Sequence, residues 1–142
     1  MTEQEVSFER VFDAEPGLVF RAFTDPELVA RWWVAAEEKI EVQTLEPRAG
    51  GSWRFVNTDA EGSHVFHGVY HAVAADRIVQ TFEYSDFPGI VLLETLTFTA
   101  LRDGRTRLTD TSVFPAGAAE IYGGGGGGQE SMDRLAALLA TL

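Results

Sequence analysis

A chain of 142 residues with 45% apolar content reads as a single domain, residues 1–142, large enough to bury about two-thirds of its unfolded surface without staples. Cysteine is absent, which excludes disulfides, thiol catalysis and thiolate metal sites and fits a reducing compartment. The formal net charge of −11 argues against nucleic acid and against anionic membrane surfaces, both of which select basic patches.

No apolar run approaches the roughly 20 residues that span a bilayer, and Met1-Thr2-Glu3-Gln4-Glu5 lacks the basic-then-apolar order of a signal peptide; the expected location is cytoplasmic. From Glu5 to Ala14, Val6, Phe8, Arg10 and Phe12 alternate with Glu5, Ser7, Glu9 and Val11, the period of a first strand. Pro16 suits a first helical turn, and Leu18, Val19, Phe20, Ala22 and Phe23 supply that helix with an apolar face. Asp25 as N-cap and Pro26 as first residue predict a second short helix that runs through Trp33.

The period then changes to two. Strands are predicted at Ile40–Gln43, from Ser52 through Phe55, and at His64–Val73, Arg77–Ser85, Ile90–Leu101 and Arg105–Phe114. The intervening turns are Glu46–Gly51, Asp59–Ser63, Ala74–Asp76, Asp86–Gly89 and Arg102–Gly104, so the six strands form an antiparallel meander. Pro115 stops the last strand. Ser131–Leu142 is an amphipathic helix with Met132, Leu135, Leu138, Leu139 and Leu142 on one stripe. A strongly bent sheet wrapped over that helix, an α+β fold, is the arrangement that buries the stripe.

This order resembles the START-like (SRPBCC) superfamily with its helix-grip fold, and within it the subfamily named for the activator of the heat-shock protein 90 ATPase. The resemblance rests on Val19–Pro26, Trp32-Trp33, Gly50-Gly51-Ser52-Trp53-Arg54-Phe55, Gly68-Val69-Tyr70, Arg77–Tyr84 and Glu130–Leu135, collinear over nearly the whole chain. It implies a curved antiparallel sheet of about seven strands, two short helices, and a cavity between the sheet and a long C-terminal helix that holds an apolar or amphipathic small molecule. It also implies that a homodimer is possible. The chain departs from these relatives at Gly123–Gly128, where they carry the N-terminal half of the gripping helix. Six glycines in a helix cost on the order of 5–6 kcal/mol, so this run is expected to be either loop or helix held by tertiary contacts alone.

The cavity candidates are the aromatic and apolar residues at the strand ends and corners, Trp32, Trp33, Trp53, Phe55, Phe66, Tyr70, Phe82, Tyr84, Leu96 and Phe98, with the acids Glu94 and Asp110. If Asp103-Gly104-Arg105 is the hairpin loop, Phe98 faces Asp110 and Leu96 faces Ser112. Glu94 and Asp110 then face inward but stand roughly 13 Å apart, too far for a catalytic dyad. His64, His67 and His71 share one strand; His67 and His71 lie on the same face, also roughly 13 Å apart, and no nearby Asp or Glu is expected to complete a metal-ligand set. Ser63, Ser85, Ser112 and Ser131 lack a nucleophile-elbow glycine pattern, and Arg54 is expected on the outer face.

The leading expectation is a small-molecule-binding domain with no catalytic set, no metal and no cofactor. One alternative is a protein-interaction module related to heat-shock protein 90 co-chaperones. Another is a cyclase- or hydrolase-like enzyme using Glu94 or Asp110.

Overall fold

The structure, a computed structural model, describes residues 3–121 and 129–142. The chain forms β1 (Gln4–Phe12), α1 (Pro16–Thr24), α2 (Pro26–Val29), β2 (Lys39–Leu45), β3 (Ser52–Asp59), β4 (Gly62–Ala74), β5 (Arg77–Tyr84), β6 (Val91–Ala100), β7 (Thr106–Phe114), α3 (Ala118–Ile121) and α4 (Gln129–Leu139). All pairings are antiparallel, in the order β1-β7-β6-β5-β4-β3-β2. The meander β2–β7 follows chain order because each strand is joined to the next by a short turn. β1 closes against β7, so α1 and α2 must carry the chain across the sheet from one edge to the other. The glycine run 123–128 lies outside the described residues, and with it the expectation placed on it.

α1 begins with Pro16, and α2 begins with Pro26 behind Asp25, whose Oδ1 accepts from the Glu27 amide at 3.0 Å. α2 ends at Val29 rather than running through Trp33. Beyond it the Trp32 amide donates to Val29 at a long 3.3 Å, and the Trp33 amide donates to the same carbonyl at 3.1 Å. Tertiary bonds take over from the helix: the Trp32 indole donates to the Ala22 carbonyl at 2.8 Å, and Arg134 of α4 donates to the carbonyls of Trp32 (2.9 Å) and Trp33 (3.3 Å).

The Gly50-Gly51 corner has two separate causes. Gly50 sits at φ +83°, and a side chain on Gly51 would collide with the Glu46 carbonyl. Trp53 follows at once. Its indole lies against Gly68 on the neighbouring strand, where a Cβ would strike both the Thr81 carbonyl and the ring nitrogen. Between the His67/Glu83 and Tyr70/Gln80 pairs the β4–β5 ladder is interrupted; the Trp53 indole (3.3 Å) and the Val69 amide (2.9 Å) bind Thr81 in its place.

The core joins Val19, Ala22, Leu28, Val29 and Trp32 to the inner strand residues Phe12, Trp53, Phe55, Ile78, Phe98 and Leu108 and to Met132, Leu135, Leu138 and Leu139 of α4. The apolar stripe of α4 is therefore buried, except for Leu142, which is half-exposed because the helix stops at Leu139. α3, which the sequence reading does not anticipate, packs Ala118 and Ala119 on Leu92 and Phe114 in a second apolar cluster.

Candidate functional site

Between the sheet and α4 lies a cavity of about 520 Å³. Trp32, Trp33, Phe66, Phe82, Glu94, Leu96 and Asp110 line it, as do Val6, Phe8, Phe23, Leu92, Leu108 and Phe114, with Glu130, Ser131, Met132 and Arg134 from α4. The remaining candidates do not reach it. Trp53, Phe55, Tyr70 and Phe98 are buried in the core behind the lining residues, where burial pushes the Tyr70 phenol up, and Tyr84 lies at the β4–β5 end. Aromatic edges bind wall to core: Trp33 meets Phe55 at 5.0 Å and Phe66 at 5.9 Å between ring centroids.

The polar end of the cavity differs from the sequence expectation. β6 and β7 pair Leu96 with Asp110, Glu94 with Ser112 and Phe98 with Leu108, two residues away from the register expected of an Asp103-Gly104-Arg105 loop. The loop is instead Arg102-Asp103-Gly104, with the Leu101 amide on the Arg105 carbonyl at 2.8 Å and Gly104 at φ +82°. That is a type I turn followed by a left-handed residue, which favours glycine at the third loop position. Glu94 and Asp110 thereby become diagonal neighbours on the inner face instead of residues roughly 13 Å apart, close enough for each carboxyl to act on the other.

Burial raises the Asp110 carboxyl well above the ordinary range; the charge of Glu94 and the bond to it act in the same direction, against a smaller opposing effect of Ser112. Gln80 Nε2 donates to Glu94 Oε1 at 2.7 Å, and the Ser112 hydroxyl donates to Asp110 Oδ1 at 3.3 Å. Gln80 and Ser112 are both buried and both line the cavity. The sequence reading passes over them as binding residues, yet the alternation Ile78, Gln80, Phe82 puts a polar residue in the apolar phase of β5. That is the signal that marks a buried amide in need of a partner.

The histidines also depart from expectation. Asp59 and Asp86, from two different turns, flank His64: Nδ1 is 3.1 Å from both Asp86 oxygens, and Nε2 is 3.2 and 3.1 Å from those of Asp59. With a carboxylate on each ring nitrogen, the doubly protonated imidazolium is favoured, and His64 is raised above its usual value by Asp86 first and Asp59 second. Asp86 is lowered chiefly by His64, and Asp59 chiefly by the Glu61 amide. The Tyr84 hydroxyl donates to Asp86 at 3.0 Å, and its phenol is pushed up to about 12, by burial first. Both His64 nitrogens are thus occupied, and among the described residues no group of His, Asp and Glu is arranged to hold a metal ion. His67 approaches Glu83 at 4.0 Å, while Arg54, exposed as expected, donates to Gln43 at 2.9 Å.

A seven-stranded antiparallel sheet with a C-terminal helix against one face is the helix-grip architecture of START-like proteins. The family model described as Activator of Hsp90 ATPase homolog 1-like protein matches residues 13–140, and the chain belongs to that family. Among solved structures, a protein from Chromobacterium violaceum is 27% identical over 95% of this chain and 96% of its own, with a TM-score of 0.79. A protein from Rhizobium loti is 26% identical over 97% and 98% of the two chains, with a TM-score of 0.74. One from Rhodobacter sphaeroides, 23% identical over 99% of each chain, superposes with a TM-score of 0.85 and speaks to the fold alone. No curated protein matches the chain.

Proposed function

We propose that this protein binds an apolar or amphipathic small molecule between its sheet and α4. One observation carries the reading: a cavity of about 520 Å³ whose lining is mostly aromatic and aliphatic, with Gln80, Glu94, Asp110 and Ser112 grouped in its wall. Ligand sites of about 300–1,000 Å³ combine an apolar enclosure with a few convergent polar groups in this way. The net charge of −11 sets nucleic acid and anionic lipid surfaces aside as partners, and among the described residues no helix is long and apolar enough to cross a membrane.

The test is a native mass spectrum of freshly purified protein, followed by titration with an environment-sensitive hydrophobic dye. A carried-over mass, or saturable dye binding weakened by Leu108→Trp, which fills the cavity from the β7 side, is the expected result. Dye binding that ignores this substitution, together with a bare protein mass, removes the proposal.

A further inference from the structure

We propose that the molecule bound in the cavity is an amphipathic amine, whose ammonium group seats against the Glu94 and Asp110 carboxyls. This rests on the ligand-binding reading above and narrows it to a chemical class.

The argument begins with charge. Among the described lining residues, Glu94, Asp110 and Glu130 face a single cation, Arg134. That guanidinium already donates through Nε and Nη2 to the carbonyls of Trp32 and Trp33, so it is held on the backbone and not on the pair. The other elements around the pair bring no charge: Val6 and Phe8 from β1, Phe23 from α1, Trp32 and Trp33 beyond α2, Gln80 from β5 and Ser112 from β7. Among the described lining residues, therefore, no cation is held on these two carboxyls. Two acids paired inside an otherwise apolar wall are costly unless something neutralises them.

Geometry adds to this. Gln80 donates to Glu94 and Ser112 to Asp110, which fixes both carboxyls on neighbouring strands of the sheet. An ammonium carries three N–H donors, enough to address both carboxyls at once. Trp33, Phe66 and Phe82 line the same cavity and supply aromatic surface for an alkyl or aryl body. A carboxylate ligand would meet like charge. A neutral alcohol or ketone would gain one hydrogen bond and leave the proton where it is.

Binding then has a proton balance. A ligand R–NH₃⁺ displaces to solvent the proton that Asp110, raised by burial, carries, leaving two carboxylates against one ammonium. No covalent bond forms or breaks.

The experiment titrates wild-type protein with n-decylamine, n-decanol and decanoate by calorimetry at neutral pH, in phosphate and again in Tris. These buffers take up a proton with very different heats. The expected result is an amine affinity about tenfold or more above that of the alcohol, with decanoate weakest, and an amine enthalpy that shifts between buffers as proton release requires. In the double variant Glu94→Gln/Asp110→Asn the amine preference disappears while decanol binding is kept. Equal affinities, a preference for alcohol or carboxylate, or amine binding without proton release overturns the proposal and leaves the cavity reading standing. Failure of all three probes to bind overturns both. The buffer comparison uses only wild-type protein, so it decides the matter whether or not the double variant folds.

Discussion

Two pairs of carboxyls stand at different places on the same sheet and behave in opposite ways. Glu94 and Asp110 meet inside the cavity wall with no cation among the described lining residues held on them, and burial drives the Asp110 carboxyl up. Asp59 and Asp86 meet across His64 at the rim, where the imidazolium and nearby donors hold both of them down. What separates the two is the charge at the centre and access to water, not residue type. A buried pair without a cation stores a proton; a rim pair with one forms an ion cluster.

The largest expected effect separates them by pH. Asp110 binds its proton more tightly in the folded state, so its contribution is complete below the unfolded value near 3.8 and is lost as pH rises through the raised folded value. Asp110→Asn does not titrate. Its stability relative to wild type should rise by about 1.4 kcal/mol per pH unit, or about 4 kcal/mol between pH 5 and pH 8, in urea unfolding. A difference that stays flat with pH would make Asp110 an ordinary hydrated acid and erase the contrast.

A smaller effect sharpens the buried side. Gln80→Leu removes the 2.7 Å donor to Glu94 while keeping an inner-face side chain of similar bulk. The expected cost is about 1–3 kcal/mol at neutral pH, the range for a buried acceptor left unsatisfied. Unchanged stability would mean that water already serves that oxygen.

The smallest effect belongs to the rim. His64 is raised, so its contribution is complete below its unfolded value near 6.5 and is lost as pH rises through the higher folded value. Asp59 and Asp86 are lowered, so theirs is present above 3.8 and is lost as pH falls through the folded values below that. The cluster thus stabilises fully between pH 3.8 and 6.5 and weakens as pH leaves that window on either side. His64→Gln should flatten the loss on the alkaline side of that window in thermal unfolding. Near 1 M salt, where the Debye length is about 3 Å, should shrink the His64 contribution while leaving the Asp110 slope in place. Equal salt sensitivity at the two sites would show that burial does not distinguish them.

Much of this architecture is legible in the residues. The alternation in Val6–Phe12, the Asp25-Pro26 start and the Met132–Leu139 stripe each name an element that forms. Trp53 is legible as a corner residue, but its hydrogen bond to Thr81 across a broken ladder is not, because that contact spans strands separated by 28 residues. His64 shows why spacing misleads: Asp59 and Asp86 lie 5 and 22 residues away and are gathered by two turns at one end of the sheet.

By itself the sequence determined the order of elements, the family, and which face of each strand turns inward, because a period of two assigns faces directly. It did not determine which inward residues meet. A slip of two residues leaves every side chain on its own face, so hydrophobic patterning cannot tell the two β6–β7 registers apart. The choice fell to the Arg102-Asp103-Gly104 turn, with glycine in the left-handed third position, and to the packing of the curved sheet. That one local choice moved Asp110 from opposite Phe98 to opposite Leu96 and brought it into contact with Glu94.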